Sequence, residues 1–425
     1  MTGKFEAGHT RNTVRYYILI IVALSFLFFS NDFGLLDVQK TAIIMAVGID
    51  KEGEDFIITS QVAIPQDSKQ GKATESVQIV SRGKTVADAF EEINAKTGWY
   101  PKLVFCRLIL LGNTTTQENV FDALDYFLRD EYFSDNCYVA TCEGYAKDLL
   151  NQAALVDSTS SVAIEKVLSD HAARVGTVLP TTLREFSIGY FGDSQSGFLP
   201  IVTTQPQQEK TQSKNDQNNQ NGKSEQSNGG QGGQGQTGQS QGSSQSDQAD
   251  QNKTLEKPVF SAKTTALFVR GKQVSTLTAE ETFAFNAVKN TLRLAPYTLP
   301  KDEAACTLAI KQNSPKISLK VNENGEGRLK IQLRLTAGTL DFSKALSLNQ
   351  ISDAGDVPDG IFALAEQKLS AEILSVFEKT RNVECDLFGV QDLLVKRKPR
   401  ALHKYKKEIL KNTRAEISVR FENVR

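Results

Sequence analysis

The sequence predicts an α+β fold: a three-domain mixed α/β extracytoplasmic body behind an N-terminal membrane segment, with a disordered Gln/Asn/Gly/Ser-rich insert. Three observations predict it. One uninterrupted apolar run, Tyr16 to Phe29, stands near the N-terminus, and nothing like it recurs in the 425 residues. Strand-like alternation and helix-like spacing intermingle on both sides of the chain's middle, which is the pattern of an α+β class. Between them, residues 205–257 contain almost nothing apolar. The implied boundaries are 1–36 for a cytoplasmic tail and membrane segment, 37–204 for a first α+β domain, 205–257 for the insert, 258–303 for a small middle domain and 304–425 for a last α+β domain.

Lys4, Arg11 and Arg15 precede the apolar run. Cations on that side hold the N-terminus in the cytoplasm and turn the body outward. Fourteen residues is short for a spanning helix, which needs about 17–25. A signal-peptidase site wants small residues at the end of the run. Ala23 and Ser25 have the spacing but lie inside it. The segment therefore reads as a retained signal-anchor, with cleavage at an atypical site as the alternative.

In the first domain, Ala42–Ile49 and Phe56–Ala63 read as strands around a solvated turn, Asp50-Lys51-Glu52-Gly53, and Val77–Arg82 as a third. Thr85 caps a helix whose Val86, Ala89, Phe90 and Ile93 recur at helical spacing. Leu103–Leu111 and Asn136–Glu143 read as strands, and Gln117–Arg129 as an amphipathic helix between them. A helical tail broken by Gly176, Pro180 and Gly189 follows. The insert cannot bury enough surface to offset its ordering entropy, so it reads as a flexible tether.

Beyond the tether, Thr264–Arg270 and Lys272–Ser275 read as a hairpin around Gly271. Thr278-Ala279-Glu280-Glu281 is a capping box that opens a helix running to about Leu294. Strands Lys316–Val321 and Gly327–Ala337 join at Asn322–Gly325. A long helix over about 359–379 turns Ile361, Leu364, Leu369, Ile373 and Phe377 inward. Helical turns over 391–396 and 400–410 lead to a closing strand, Ala415–Phe421.

Composition excludes several chemistries. Lys plus Arg number 49 against 50 Asp plus Glu, so the whole chain is no polyanion binder. No phosphate-cradling glycine loop, zinc-spaced Cys pair or nucleophile elbow is present, and His9, His171 and His403 stand apart. No catalytic, cofactor or metal residues are assigned. Of Cys106, Cys137, Cys142, Cys306 and Cys385, several sit among apolar neighbours and read as buried small hydrophobes, and the spacing of Cys137 and Cys142, five apart on opposite faces of one strand, disfavours a bond between them. Asp50, Glu52, Glu54 and Asp55 cluster without the ligand spacing of a calcium loop. The one concentrated charge feature is Lys396, Arg397, Lys398, Arg400, Lys404, Lys406, Lys407 and Lys411, a candidate patch for anionic membrane lipid. Nucleic acid is a poor partner for a domain that faces outward.

Several pieces, in order, resemble one family. They are Ile44-Met45-Ala46-Val47-Gly48-Ile49-Asp50-Lys51, Ser81-Arg82-Gly83-Lys84-Thr85 and Asp125-Tyr126-Phe127-Leu128-Arg129-Asp130. After the tether come Gly271-Lys272 with Leu277-Thr278-Ala279-Glu280-Glu281-Thr282, then Cys385-Asp386-Leu387-Phe388-Gly389 with Lys396 to Pro399. Together they resemble the GerAC-like C-subunit family of nutrient germinant receptors from bacterial endospores. The resemblance implies a three-domain α+β body without catalysis. It implies action with A-type and B-type integral-membrane germinant receptor subunits at the outer face of the spore inner membrane or the cytoplasmic membrane. Family members carry a lipid-modified Cys ahead of the first strand. Here that place falls near Asp32-Phe33-Gly34, so the apolar run itself is the expected anchor. The competing expectations are an anchored extracytoplasmic binding protein for cell-wall polymer or peptide, and an envelope hydrolase with a dispersed site.

Overall fold

The structure, a computed structural model, describes residues 6–30, 41–63, 76–154, 157, 159–169, 172–205, 259–301, 304–343, 357, 360–397, 405 and 408–424. The expected tether, from residue 206 onward, lies outside the described residues, as do Asp32, His171 and His403.

The apolar run lies in α1 (Glu6–Ser30). Every described side chain of this helix, from Val14 to Phe26, is exposed. Among the described residues no helix is long and apolar enough to cross a membrane. The charges of Glu6, Arg11 and Arg15 confine the apolar part of α1 to Tyr16–Phe29, about 21 Å of helix against a hydrocarbon core of about 30 Å.

A first sheet gathers β1 (Thr41–Glu52), β2 (Asp55–Ala63), β3 (Ser76–Gly83), β4 (Tyr100–Lys102), β5 (Leu108–Leu111), β6 (Tyr138–Cys142), β7 (Ser196–Gln205), β8 (Val259–Val269) and β9 (Lys272–Leu277). Its order is β3-β2-β1-β5-β6-β7-β8-β9, with β4 beside the start of β1. The central β1, β5, β6 and β7 run parallel, and antiparallel meanders flank them. Parallel neighbours need crossovers, and those crossovers cover both faces. On one face α2 (Val86–Thr97), α4 (Phe121–Arg129) and α8 (Leu183–Phe191) bury Phe90, Phe127 and Phe186. On the other, α5 (Ala146–Leu150), α6 (Ser160–Leu168) and α7 (Ala172–Val175) bury Leu150, Ile164 and Leu168. Hence all four residues of β5, Leu-Ile-Leu-Leu, are buried. The short α3 (Asn113–Thr116) lies between β5 and α4.

A second sheet runs β10 (Ala295–Lys301), β11 (Ala304–Val321), β12 (Gly327–Phe342) and β13 (Thr413–Asn423) in chain order. β13 closes it parallel to β12. One face packs Leu329, Ile331, Leu333 and Leu335 against α9 (Ala279–Lys289), α10 (Ile361–Asn382) and α11 (Val390–Arg397).

Several expectations change. The stretch 258–303 divides between the two sheets: β8 pairs with β7 and satisfies its backbone groups, while α9 and β10 belong to the second core. The expected strand Leu103–Leu111 is interrupted where the Cys106 N–H turns back to the Leu103 carbonyl, so only Leu108–Leu111 pairs. The helix expected from Gln117 starts at Phe121, because the Val120 N–H donates to the Gly271 carbonyl at 2.9 Å instead of to a helical partner. Gly189 does not break its helix. It sits inside α8, where a Cβ would lie 2.2 Å from the Ser196 carbonyl oxygen.

Candidate functional site

Two of the family-like pieces, those at 385–389 and 277–282, sit where the two sheets' units meet. Cys385-Asp386-Leu387-Phe388-Gly389 lies between α10 and α11 and plugs the two sheets together. The Cys385 thiol donates to the Phe268 carbonyl at 3.7 Å, and the Asp386 N–H donates to Ser196 Oγ at 3.0 Å. Both contacts reach the first sheet. The Asp386 carboxylate then accepts the N–H groups of Val390 and Gln391, each at 2.7 Å, and so caps α11. Phe388 meets Phe285 of α9 and Phe377 of α10 edge-on, each at 5.6 Å. Burial pushes the Cys385 thiol up to about 12 and raises the Asp386 carboxyl, against the backbone N–H groups that favour its charge.

Glu281 closes the capping box by accepting from the Thr278 N–H at 2.8 Å, and it pairs with Lys379 of α10 at 2.6 Å. Asn286 of the same helix is buried, and its amide donates to the carbonyls of Gly176 (2.8 Å) and Val178 (2.9 Å). This helix is therefore riveted to both units.

Asp50 departs from the solvated turn expected for it. It is 1% exposed and accepts the N–H groups of Ala146 (2.8 Å) and Lys147 (3.0 Å) at the start of α5. Burial raises its carboxyl, opposed by those two bonds. Its neighbours Glu52 and Asp55 stay at the surface, where Arg82 and Lys84 pair with them. Tyr126 stacks on Phe90, Phe127 fills the core, and Arg129 pairs with Asp125 at 2.5 Å.

The basic segment is placed only in part. Lys396 is exposed near the end of α11 and Arg397 is that helix's last residue, whereas Lys398, Arg400, Lys404, Lys406 and Lys407 lie outside the described residues. Lys411 is exposed and pairs with Glu384 at 2.6 Å, which raises its ammonium's pKa. It rims an open groove of about 970 Å³ at the Asn322–Glu326 end of the second sheet. Lys320, Arg328, Arg381 and Arg414 share that groove, and Glu326 is the one carboxylate among its lining residues. The arrangement suits phosphate or carboxylate groups; its lining holds no His, Cys or Ser. Sequence reasoning does not single out these four cations. For Lys320 and Arg328 the signal is the alternation of basic and apolar residues in Lys316–Val321 and Gly327–Leu335; Arg381 and Arg414 join them only through the fold.

Among the described residues, no group of three or more His, Cys, Asp or Glu gathers as for a metal ion. All five cysteines are buried, and none forms a disulfide.

Residues 36–204 match the model of the spore germination protein N-terminal domain, and residues 263–424 match that of the spore germination B3/GerAC-like C-terminal domain. Spore germination protein B3 of Bacillus subtilis (strain 168) is 24% identical over 189 residues, covering 42% of this chain and 48% of that protein. The alignment thus spans about half the length of this relative. The chain is also similar to the crystal structure of the GerBC protein, with a TM-score of 0.48 and 16% identity, covering 89% of this chain and 97% of that one. With two family models together spanning most of its length, the chain belongs to the GerAC-like family of spore germination proteins.

Proposed function

We propose that the chain is the non-catalytic C-type subunit of a nutrient germinant receptor. It is held at the outer face of the spore inner membrane or cytoplasmic membrane, and it acts with A-type and B-type integral-membrane subunits to trigger germination. The observation that carries this reading is the pair of family regions standing in order behind an exposed apolar helix. A supporting observation is that the Cys385–Gly389 piece ties the second unit to the first sheet through Phe268 and Ser196. Such a body presents surfaces for assembly.

The experiment is a deletion of this chain in the endospore former that carries it. Nutrient-triggered loss of optical density falls away in the deletant and returns with the full chain. Normal germination of the deletant on every nutrient the parent answers to contradicts the reading. Retention of a cell-wall polymer or peptide by the isolated chain, with germination intact, favours the anchored binding protein instead.

A further inference from the structure

The second sheet has one covered face and one open face. Strict alternation along β12 buries Leu329, Ile331 and Leu333 and exposes Arg328, Lys330, Gln332 and Arg334. The register extends that open face over both neighbours. Lys320, Arg328 and Arg414 stand side by side in one row, and Arg334 stands beside Arg420 three rows along. Lys316 and Lys330 fill the rows between, and the carboxylates on this face among the described residues are Glu416, Glu422 and, at its far end beside Thr307, Asp341.

Like charges directly opposite one another destabilise a sheet. An ordinary solvated face interleaves the two signs throughout; here Glu416 stands opposite Lys330 and pairs with Arg328 (3.2 Å), and Glu422 meets Arg420 (4.0 Å). Lys316, Lys320, Lys330, Arg334 and Arg414 have no ion-pair partner among the described residues. The rows that cluster cations end in the basic groove described above.

We propose that this open face docks on the phosphate headgroups of an anionic phospholipid bilayer. The inference rests on the reading that the body is held at a membrane, and it adds the surface that meets the lipid. Shape favours a bilayer: three strands by seven residues make a patch about 10 Å by 20 Å, broad and open, unlike a slot for a single polymer strand. Composition favours it too. The outward side chains from Lys316 to Lys320, Arg328 to Arg334 and Arg414 to Glu422 include no aromatic or large aliphatic residue. A protein partner or a stacked nucleobase would call for such residues. The exposed apolar side chains of α1 supply a second, independent attraction to the same surface.

The test floats the full chain with vesicles of phosphatidylcholine alone and of phosphatidylcholine with an equal part of phosphatidylglycerol, at low and high salt. The neutral vesicles report α1, and the excess on anionic vesicles reports charge. The proposal predicts a salt-sensitive excess that Lys330→Ala with Arg334→Ala lowers roughly twenty-five-fold, at about fivefold per cation. The exposed Arg414→Ala serves in its place if that pair fails to fold. An excess unchanged by these variants overturns the proposal. So does an excess lost only when Lys404, Lys406 and Lys407 are replaced, or tighter binding of soluble poly(glycerol phosphate) than of vesicles at equal phosphate. Any of these outcomes leaves the germination phenotype of the deletant, and with it the receptor assignment, standing.

Discussion

The hydroxyl of Ser196 accepts a hydrogen bond from the backbone N–H of Asp386 at 3.0 Å, across a separation of 190 residues. Ser196 opens β7 of the first sheet, and Asp386 caps α11 of the second unit. One buried contact thus couples the register of a strand to the start of a helix.

Asp386→Ala leaves two buried N–H groups at the start of α11 without an acceptor. The expected loss is about 2–4 kcal/mol, and Ser196→Ala is expected to cost about 1–2 kcal/mol. Because both act on one joint, the double variant loses less than the sum of the single ones. Urea unfolding of the four chains reads this directly, and strict additivity argues against a shared joint.

Burial raises the Asp386 carboxyl above its ordinary 3.8. The folded chain then holds a proton that the unfolded chain has released. This group's contribution to stability is full below 3.8 and is lost as the pH climbs through the raised value. Asp386→Asn removes that fall, so its stability curve is flatter than the parent's above pH 3.8. A parent that instead gains stability relative to the Asn variant over the same range would show that the hydrogen bonds outweigh burial.

Gly112 has its open Cα beside Asp50. A Cβ there would fall 1.8 Å from Asp50 Oδ1. Gly112→Ala pushes the carboxylate off the start of α5, and Asp50→Ala removes it. Each is expected to lower stability by about 2–3 kcal/mol. Thermal melts should place Asp50→Ala with Gly112→Ala near Asp50→Ala alone, since no carboxylate remains to be displaced.

Burial pushes Cys142, like Cys385, up to about 12. All five thiols are buried, and Cys137 is raised as well, by burial and by its neighbour Cys106. Iodoacetamide at neutral pH should therefore label none of them in the native chain and all of them in denaturant. Rapid native labelling of Cys385 would mean that the joint between the sheets opens.

Local signals were read well from sequence because their causes are local. Thr85 caps α2 through the Asp88 N–H at 3.1 Å, and Val86, Ala89, Phe90 and Ile93 are buried along it. Arg270 and Gly271, both at positive φ, make the two-residue turn of the expected hairpin. What stayed hidden depends on partners far along the chain. β7 and β10 went unseen because Pro200, Pro296 and Pro300 mask their strand pattern. The burial of Asp50 needs α5, nearly a hundred residues later, to supply its two N–H groups. At the site, the basic run at 396–407 drew attention by density, while the basic face of the second sheet is spread over three strands and emerges only with their register.

The central claim is assembly with membrane subunits, and affinity isolation of the tagged chain from detergent-solubilised spore membranes tests it most directly. The account predicts that A-type and B-type receptor subunits come down with it in constant proportion. Recovery of the chain from those membranes without either subunit would contradict it.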